Sequence, residues 1–172
     1  WTSVLNDGWT VTIPDHQGPL SAFSSSFIHG HASLDAIRAT LNFEKLKLDP
    51  KSAVVGMGYS GGAIAGGWAA SLLGSYATEL NVVGWSIGGT PSNVTGTFYG
   101  LDGSLFSGFS VAGVAGIVDS YPEVNDYVGS VITPAGNAAL QFTREHCMGD
   151  IVVGLQNVNL TGKDFVKNEK NF

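Results

Sequence analysis

The chain has 172 residues, only 13% of them charged, a formal net charge of −6 and 24 glycines. That length is enough for one domain with a sizeable core, and the acidic balance excludes nucleic acid and anionic membrane surfaces as partners, since both are held by basic patches. No transmembrane segment is expected: the most apolar long stretch, Leu105 to Val118, is interrupted by Ser107, Gly108, Ser110, Gly113 and Gly116, short of the ~20 apolar residues that span a bilayer.

Taken in chain order, WTSVLNDG (1–8) reads as the last turns of a helix stopped by Gly8. With neither an initiating Met nor a signal peptide, the chain is expected to open inside an element. WTVTI (9–13) is a β-branched run between Gly8 and Pro14, which predicts a buried strand. After the loop PDHQGP, Ser33 is the expected cap of a helix from Leu34 to about Lys47, with Leu34, Ile37 and Leu41 on one stripe. SAVVGMGY (52–59) predicts a second strand, Gly61 to about Tyr76 a helix, and LNVVGWSIGG (80–89) a third strand ending in a loop.

The fold class is therefore α/β. Residues 1–92 form a parallel βαβαβ core whose strands, lacking alternation, are expected to be buried on both faces. Residues 93–172 lack strong strand runs and read as a mainly helical cap, with helices expected over Leu105–Val118, Tyr121–Val128 and Pro134–His146. In open sheets of this type chemistry gathers beyond the carboxyl ends of strands, here Asp15 and His16, Ser60, and Ser86 to Gly89.

The segment GMGYSGGAIAGG (56–67) fits two templates. As a dinucleotide loop, Gly56-x-Gly58-x-x-Gly61 needs an acidic residue near the end of the next strand. Ser86 and Ile87 stand there instead, and Glu79 precedes the strand. As a nucleophile elbow, Gly58-Tyr59-Ser60-Gly61-Gly62 puts Ser60 at a sharp strand-to-helix turn, with small residues required at 58 and 62. The Gly61 N–H then becomes the oxyanion donor at a helix N-terminus. The elbow accounts for the strand, the glycines and the helix together.

Low charge and abundant glycine suit a secreted, extracellular protein. Two glycosylation sequons, Asn93-Val94-Thr95 and Asn159-Leu160-Thr161, point the same way. In that compartment the single cysteine, Cys147, suggests a partner outside this chain. His29 and His31 have the i, i+2 spacing of a strand, but no third ligand lies near and no metal is assigned. Asp15 and His16 are possible pocket residues; holding the loop is the plainer role for Asp15. Phe98, Tyr99, Phe106 and Phe109 suit cap core better than an acyl tunnel.

The stretches PDHQGPLSAF (14–23), GHASLDAIRA (30–39), GYSGGAIAGGWAASLLGSYATELNVVG (58–84) and GGTP (88–91) resemble the fungal secretory lipase family, which includes the Candida-type lipase A proteins. Similarity continues through FSGFSVAGVAGI and around Cys147. The resemblance implies a secreted α/β-hydrolase with a helical cap, without a cofactor, acting on carboxylic esters of lipids at a lipid–water interface. It makes Ser60 the nucleophile and Gly61 the oxyanion residue, and it pairs Cys147 with a cysteine upstream of Trp1.

A serine nucleophile needs a histidine and a carboxylate, which follow it in this fold's chain order. His146 is the only later histidine. A Ser60–Asp119–His146 set satisfies the order but would draw its acid and base from cap helices. The expectation is instead that both lie beyond Phe172, in a missing remainder of the same protein. Two alternatives stay open: a catalytically silent fragment that acts through apolar binding or association, and a deacetylase or peptidase on the same fold.

Overall fold

A computed structural model describes residues 2–168 of the chain. The chain divides into two compact units: Trp1–Gly18 with Ser26–Thr90, and Pro19–Ser25 with Pro91–Phe172.

In the first unit, helix α1 (Thr2–Asn6) ends at Gly8, whose φ of +82° lets the chain turn back. Helix α2 spans Ser26–Leu41, eight residues earlier at its start than Ser33 suggested. Ser33 does not cap; its hydroxyl donates to the carbonyl of His29 at 2.7 Å, one turn back. Gly30 lies within the helix. It sits where α2 crosses helix α3 (Gly61–Tyr76), and a Cβ there would lie 3.0 Å from the Trp68 backbone carbon. Leu34, Ile37 and Leu41 of α2 meet Ala69 and Ala77, with Leu72, Leu73, Val82 and Trp85 packed around them. At the far end Arg38 ties α2 to the last residue of α3 by donating to the Tyr76 carbonyl at 2.5 Å; it also donates to Asp35 of its own helix at 2.8 Å and to Glu79, whose carboxyl it holds below its usual range through that hydrogen bond.

Strands β1 (Val54–Tyr59) and β2 (Val82–Gly88) pair in parallel, with Gly58 opposite Ile87 and Tyr59 opposite Gly88. Among the described residues they are the whole sheet, so the three-strand core is corrected to two. The run WTVTI has β-forming side chains but no ladder partner. It lies beside α2, where Val11, Thr12 and Ile13 line an open groove together with Ala36, Thr40 and Phe43. Burial on both sheet faces is likewise not found. Helix α3 covers one face, while Val55, Met57 and Val83 are 42%, 61% and 61% exposed.

The second unit is helical: α4 (Val94–Leu101), α5 (Ser107–Ser120), α6 (Pro122–Val131), α7 (Pro134–Glu145) and α8 (Met148–Gly154). Pro122 and Pro134 open their helices, where a missing N–H costs nothing, and Thr133 caps α7 by accepting from the Gly136 N–H at 3.0 Å. Helix α5 is the centre. Its Val111, Ala112, Ala115 and Val118 pack with Val128, Leu140, Ile151, Leu155 and Phe165. Ser107 is fully buried, donating to the Leu155 carbonyl at 2.6 Å and accepting from the Val158 N–H at 3.0 Å. Phe98 packs partly buried against this core, whereas Tyr99 and Phe106 are more than half exposed.

Candidate active site

The corner between β1 and α3 is built by two constraints. Strand β1 delivers Tyr59 in register with Gly88, and the Ser60 N–H donates to the Gly88 carbonyl at 3.0 Å. Helix α3 begins one residue later, with the Ser60 carbonyl accepting from Ala63 and Ile64 at 2.9 and 3.1 Å. Ser60 must join an extended strand to a helix in a single residue. It does so at φ 52°, ψ −114°, a region that costs a non-glycine residue on the order of 1–3 kcal/mol.

Ser60 stands at the N-cap position, where serine ordinarily accepts from the first-turn N–H groups. Here its hydroxyl makes no capping bond and the residue is exposed. The Ser60 hydroxyl is therefore not engaged by the helix it precedes. The N–H groups of Gly61 and Gly62 open α3 without intrahelical partners, at the positive end of the helix dipole. The arrangement is an exposed hydroxyl beside unoccupied backbone donors, which suits attack on a carbonyl whose oxygen becomes anionic.

The steric expectation for the flanking glycines holds at one of them. A Cβ on Gly58 would overlap the Gly62 carbonyl, 2.5 Å from its carbon, and come within 2.9 Å of the Ala63 nitrogen. A Cβ on Gly62 would meet nothing within 4 Å, so the tight approach constrains position 58 alone. Gly88 is a contributor that the motif does not include. Its carbonyl fixes the Ser60 N–H, and the glycine pair at the end of β2 was the available signal.

Asp15 accepts from the Gly18 N–H at 3.2 Å and so holds its own loop. His16 is half-buried, and its ring meets that of His29 edge-on, 4.7 Å between centroids. His29 and His31 lie on helix α2, not on a strand, which corrects the expected spacing. His29 is fully buried, and His31 sits against Tyr76 with its Nδ1 at 2.8 Å from the Phe27 carbonyl. Asp119 is gripped by Arg144 at 2.6 and 2.9 Å, and His146 stacks on Phe142 with Nδ1 2.9 Å from its carbonyl. The pair needed for a Ser60–Asp119–His146 relay is thus already engaged with other partners.

Burial pushes the His16 imidazole below its ordinary value, against the opposing pull of Asp15. The folded chain therefore takes up this proton less readily than the unfolded one. The His16 contribution to stability is complete at neutral pH and is lost as pH falls below about 6.5, the unfolded value. The midpoint of urea unfolding, followed from pH 7.5 to pH 5, is expected to fall more steeply for the parent protein than for His16→Gln. Parallel curves would remove His16 from the account.

The profile of the secretory lipase family matches residues 2–171. The chain belongs to the secretory lipase family. Among relatives, it is 99% identical over 172 residues to the secreted triacylglycerol lipase LIP5 of Malassezia globosa, covering all of this chain and 36% of that protein. It is 52% identical over 149 residues to the secreted triacylglycerol lipase LIP1 of Malassezia furfur, covering 87% of this chain and 30% of that one. Among solved structures, lipase A of Candida antarctica in its closed state superposes with a TM-score of 0.84 at 37% identity, over 91% of this chain and 36% of that chain. This secretory lipase chain thus spans about a third of the length of these relatives, and its fold is a part of the α/β-hydrolase fold.

Proposed function

We propose that this chain carries the nucleophile of a secreted serine lipase or esterase that hydrolyses acylglycerol-like carboxylic esters through an acyl-enzyme on Ser60. The observation that carries the reading is the Ser60 corner, an exposed hydroxyl on a strained residue that caps nothing, beside the open N-terminus of α3, in a chain of the secretory lipase family. The names of the relatives, secreted triacylglycerol lipases, support the substrate class and the extracellular site of action.

Ser60 Oγ attacks the ester carbonyl carbon while its proton passes to a histidine base. The carbonyl electron pair moves onto oxygen, which accepts from the Gly61 N–H; one such donor is worth ~3–4 kcal/mol in the transition state. Collapse expels the alcohol, which takes the proton back, and leaves the acyl group on Ser60. Water then repeats the attack and frees the acid. The histidine and its carboxylate are supplied by other parts of the longer polypeptide, since Asp119 and His146 serve other contacts. Residues 1–92 are the core portion and residues 93–172 the helical cap portion of an enzyme that meets its ester at a lipid–water interface. Cys147 is exposed at the start of α8 and reads as one half of a disulfide completed elsewhere in that polypeptide. Replacing Ser60 with Ala in the longer protein, with turnover of an emulsified triacylglycerol as readout, tests the reading.

A further inference from the structure

The two sequons lie in the helical unit but in different local settings. Asn93 is the N-cap of α4: its Oδ1 accepts one bond, from the Gly96 N–H at 2.8 Å, and Val94 and Thr95 already belong to the helix. Asn159 is exposed in the turn after α8; its Oδ1 accepts from the Thr161 N–H at 3.1 Å and lies 3.0 Å from the Thr161 hydroxyl, whose single hydrogen it shares with Asp102. The turn is anchored by Asp102, which accepts from the Leu160 N–H at 2.5 Å and from the Thr161 hydroxyl at 2.9 Å. Leu160 between them is fully buried. Only Oδ1 of Asn159 is used in these bonds, so its Nδ2 is open to substitution without loss of any of them.

We propose that Asn159 is a site of N-linked glycosylation and that Asn93 is left largely unmodified. A carboxamide nitrogen is a poor nucleophile, and at Asn159 the Thr161 N–H, together with the hydroxyl it shares with Asp102, polarises the carboxamide oxygen and makes the Nδ2 hydrogens more acidic. The contact runs from residue i to i+2, so this Asx turn is available to the chain before tertiary structure forms. At Asn93 the same threonine position is taken into a helix turn and leaves the carboxamide with one donor. In the transfer, Nδ2 bonds to the anomeric carbon of an oligosaccharide carried on a lipid pyrophosphate. The anomeric C–O bond breaks, the lipid pyrophosphate leaves with the electron pair, and the Nδ2 proton goes to the transferase base. Asn159 also lines an open groove of about 580 Å³, with Ala135, Ala139, Phe165 and the polar Asn157, Lys163 and Asp164, which the innermost sugar would shield. None of this depends on Ser60 chemistry.

The experiment is translation of the full-length polypeptide in the presence of microsomes, with glycan transfer read by endoglycosidase-sensitive gel shift and by mass of the peptides holding each sequon. These readouts report transfer whether or not a variant folds. The Asn159 peptide is expected to carry the sugar remnant in most copies and the Asn93 peptide in few. Thr161→Ala and Asn159→Gln remove that signal, while Thr161→Ser and Asn93→Gln keep it. A bare Asn159, or equal occupancy at the two sequons, overturns the proposal.

Discussion

In the longer polypeptide, Ser60→Ala is expected to lower kcat for ester hydrolysis by about 10⁶-fold, the scale seen when a serine nucleophile is removed, with little change in melting temperature. The two halves of this expectation have separate origins. The loss of rate follows from removing the only atom that forms the acyl bond; binding and the Gly61 N–H remain and sustain a small residual rate. The retained stability follows from a negative feature of the corner. Because the Ser60 hydroxyl caps no helix N–H, its deletion strands no hydrogen-bond partner, and alanine bears the same φ penalty as serine. A variant that melts normally and still turns over ester at the parental rate would remove Ser60 from the chemistry. The deacetylase or peptidase alternative is separated in the same assay, by turnover of the unmodified protein on triacylglycerol, acetylated and peptide substrates; the silent-fragment alternative is separated by treating this chain with a fluorophosphonate ester, which labels Ser60 only if a base reaches it.

The second large effect is on stability and separates two glycines that the motif treats alike. Gly58→Ala places a methyl against the Gly62 carbonyl, and backbone cannot rotate away as a side-chain tip does. The expected cost is about 3 kcal/mol, at the upper end of the usual overpacking range, together with displacement of the elbow and loss of turnover. Gly62→Ala points its methyl into open space on a helical residue, so its stability should lie within about 1 kcal/mol of the parent, on the favourable side. Thermal unfolding of the two variants side by side checks the pair. Equal destabilisation would mean that the corner is not packed as described.

The parts of the fold that the sequence predicts well are those whose determinants are local. Helix α3 runs from Gly61 to Tyr76 as its apolar spacing indicates, and β1 and β2 fall within the expected runs, because strand, corner and helix each leave a pattern within a few residues. The misses have non-local causes. Whether WTVTI becomes a strand depends on a ladder partner, which no composition of five residues can specify. The start of α2 was missed because Ser33 reads as a cap, whereas its hydroxyl bonds back into a helix already begun at Ser26; that Gly30 marks a close approach to Trp68 follows only from the packing of separate segments. Helix α4 was masked by Gly96 and Gly100, although Asn93 three residues before Gly96 was a legible cap. At the site, Ser60 and Gly58 could be read from the motif. The Gly88 carbonyl that fixes the Ser60 N–H and the contact of His16 with His29 arise only when separate segments meet.

The account rests on Ser60 being the acylated atom's host, with Gly61 as its neighbouring donor. A crystal structure of the longer protein after reaction with a fluorophosphonate ester tests this most directly, because the phosphonyl group mimics the tetrahedral intermediate. The account predicts phosphorus bonded to Ser60 Oγ and its phosphoryl oxygen about 2.7–3.1 Å from the Gly61 nitrogen. An adduct on another residue, or a phosphoryl oxygen turned away from the start of α3, would contradict it.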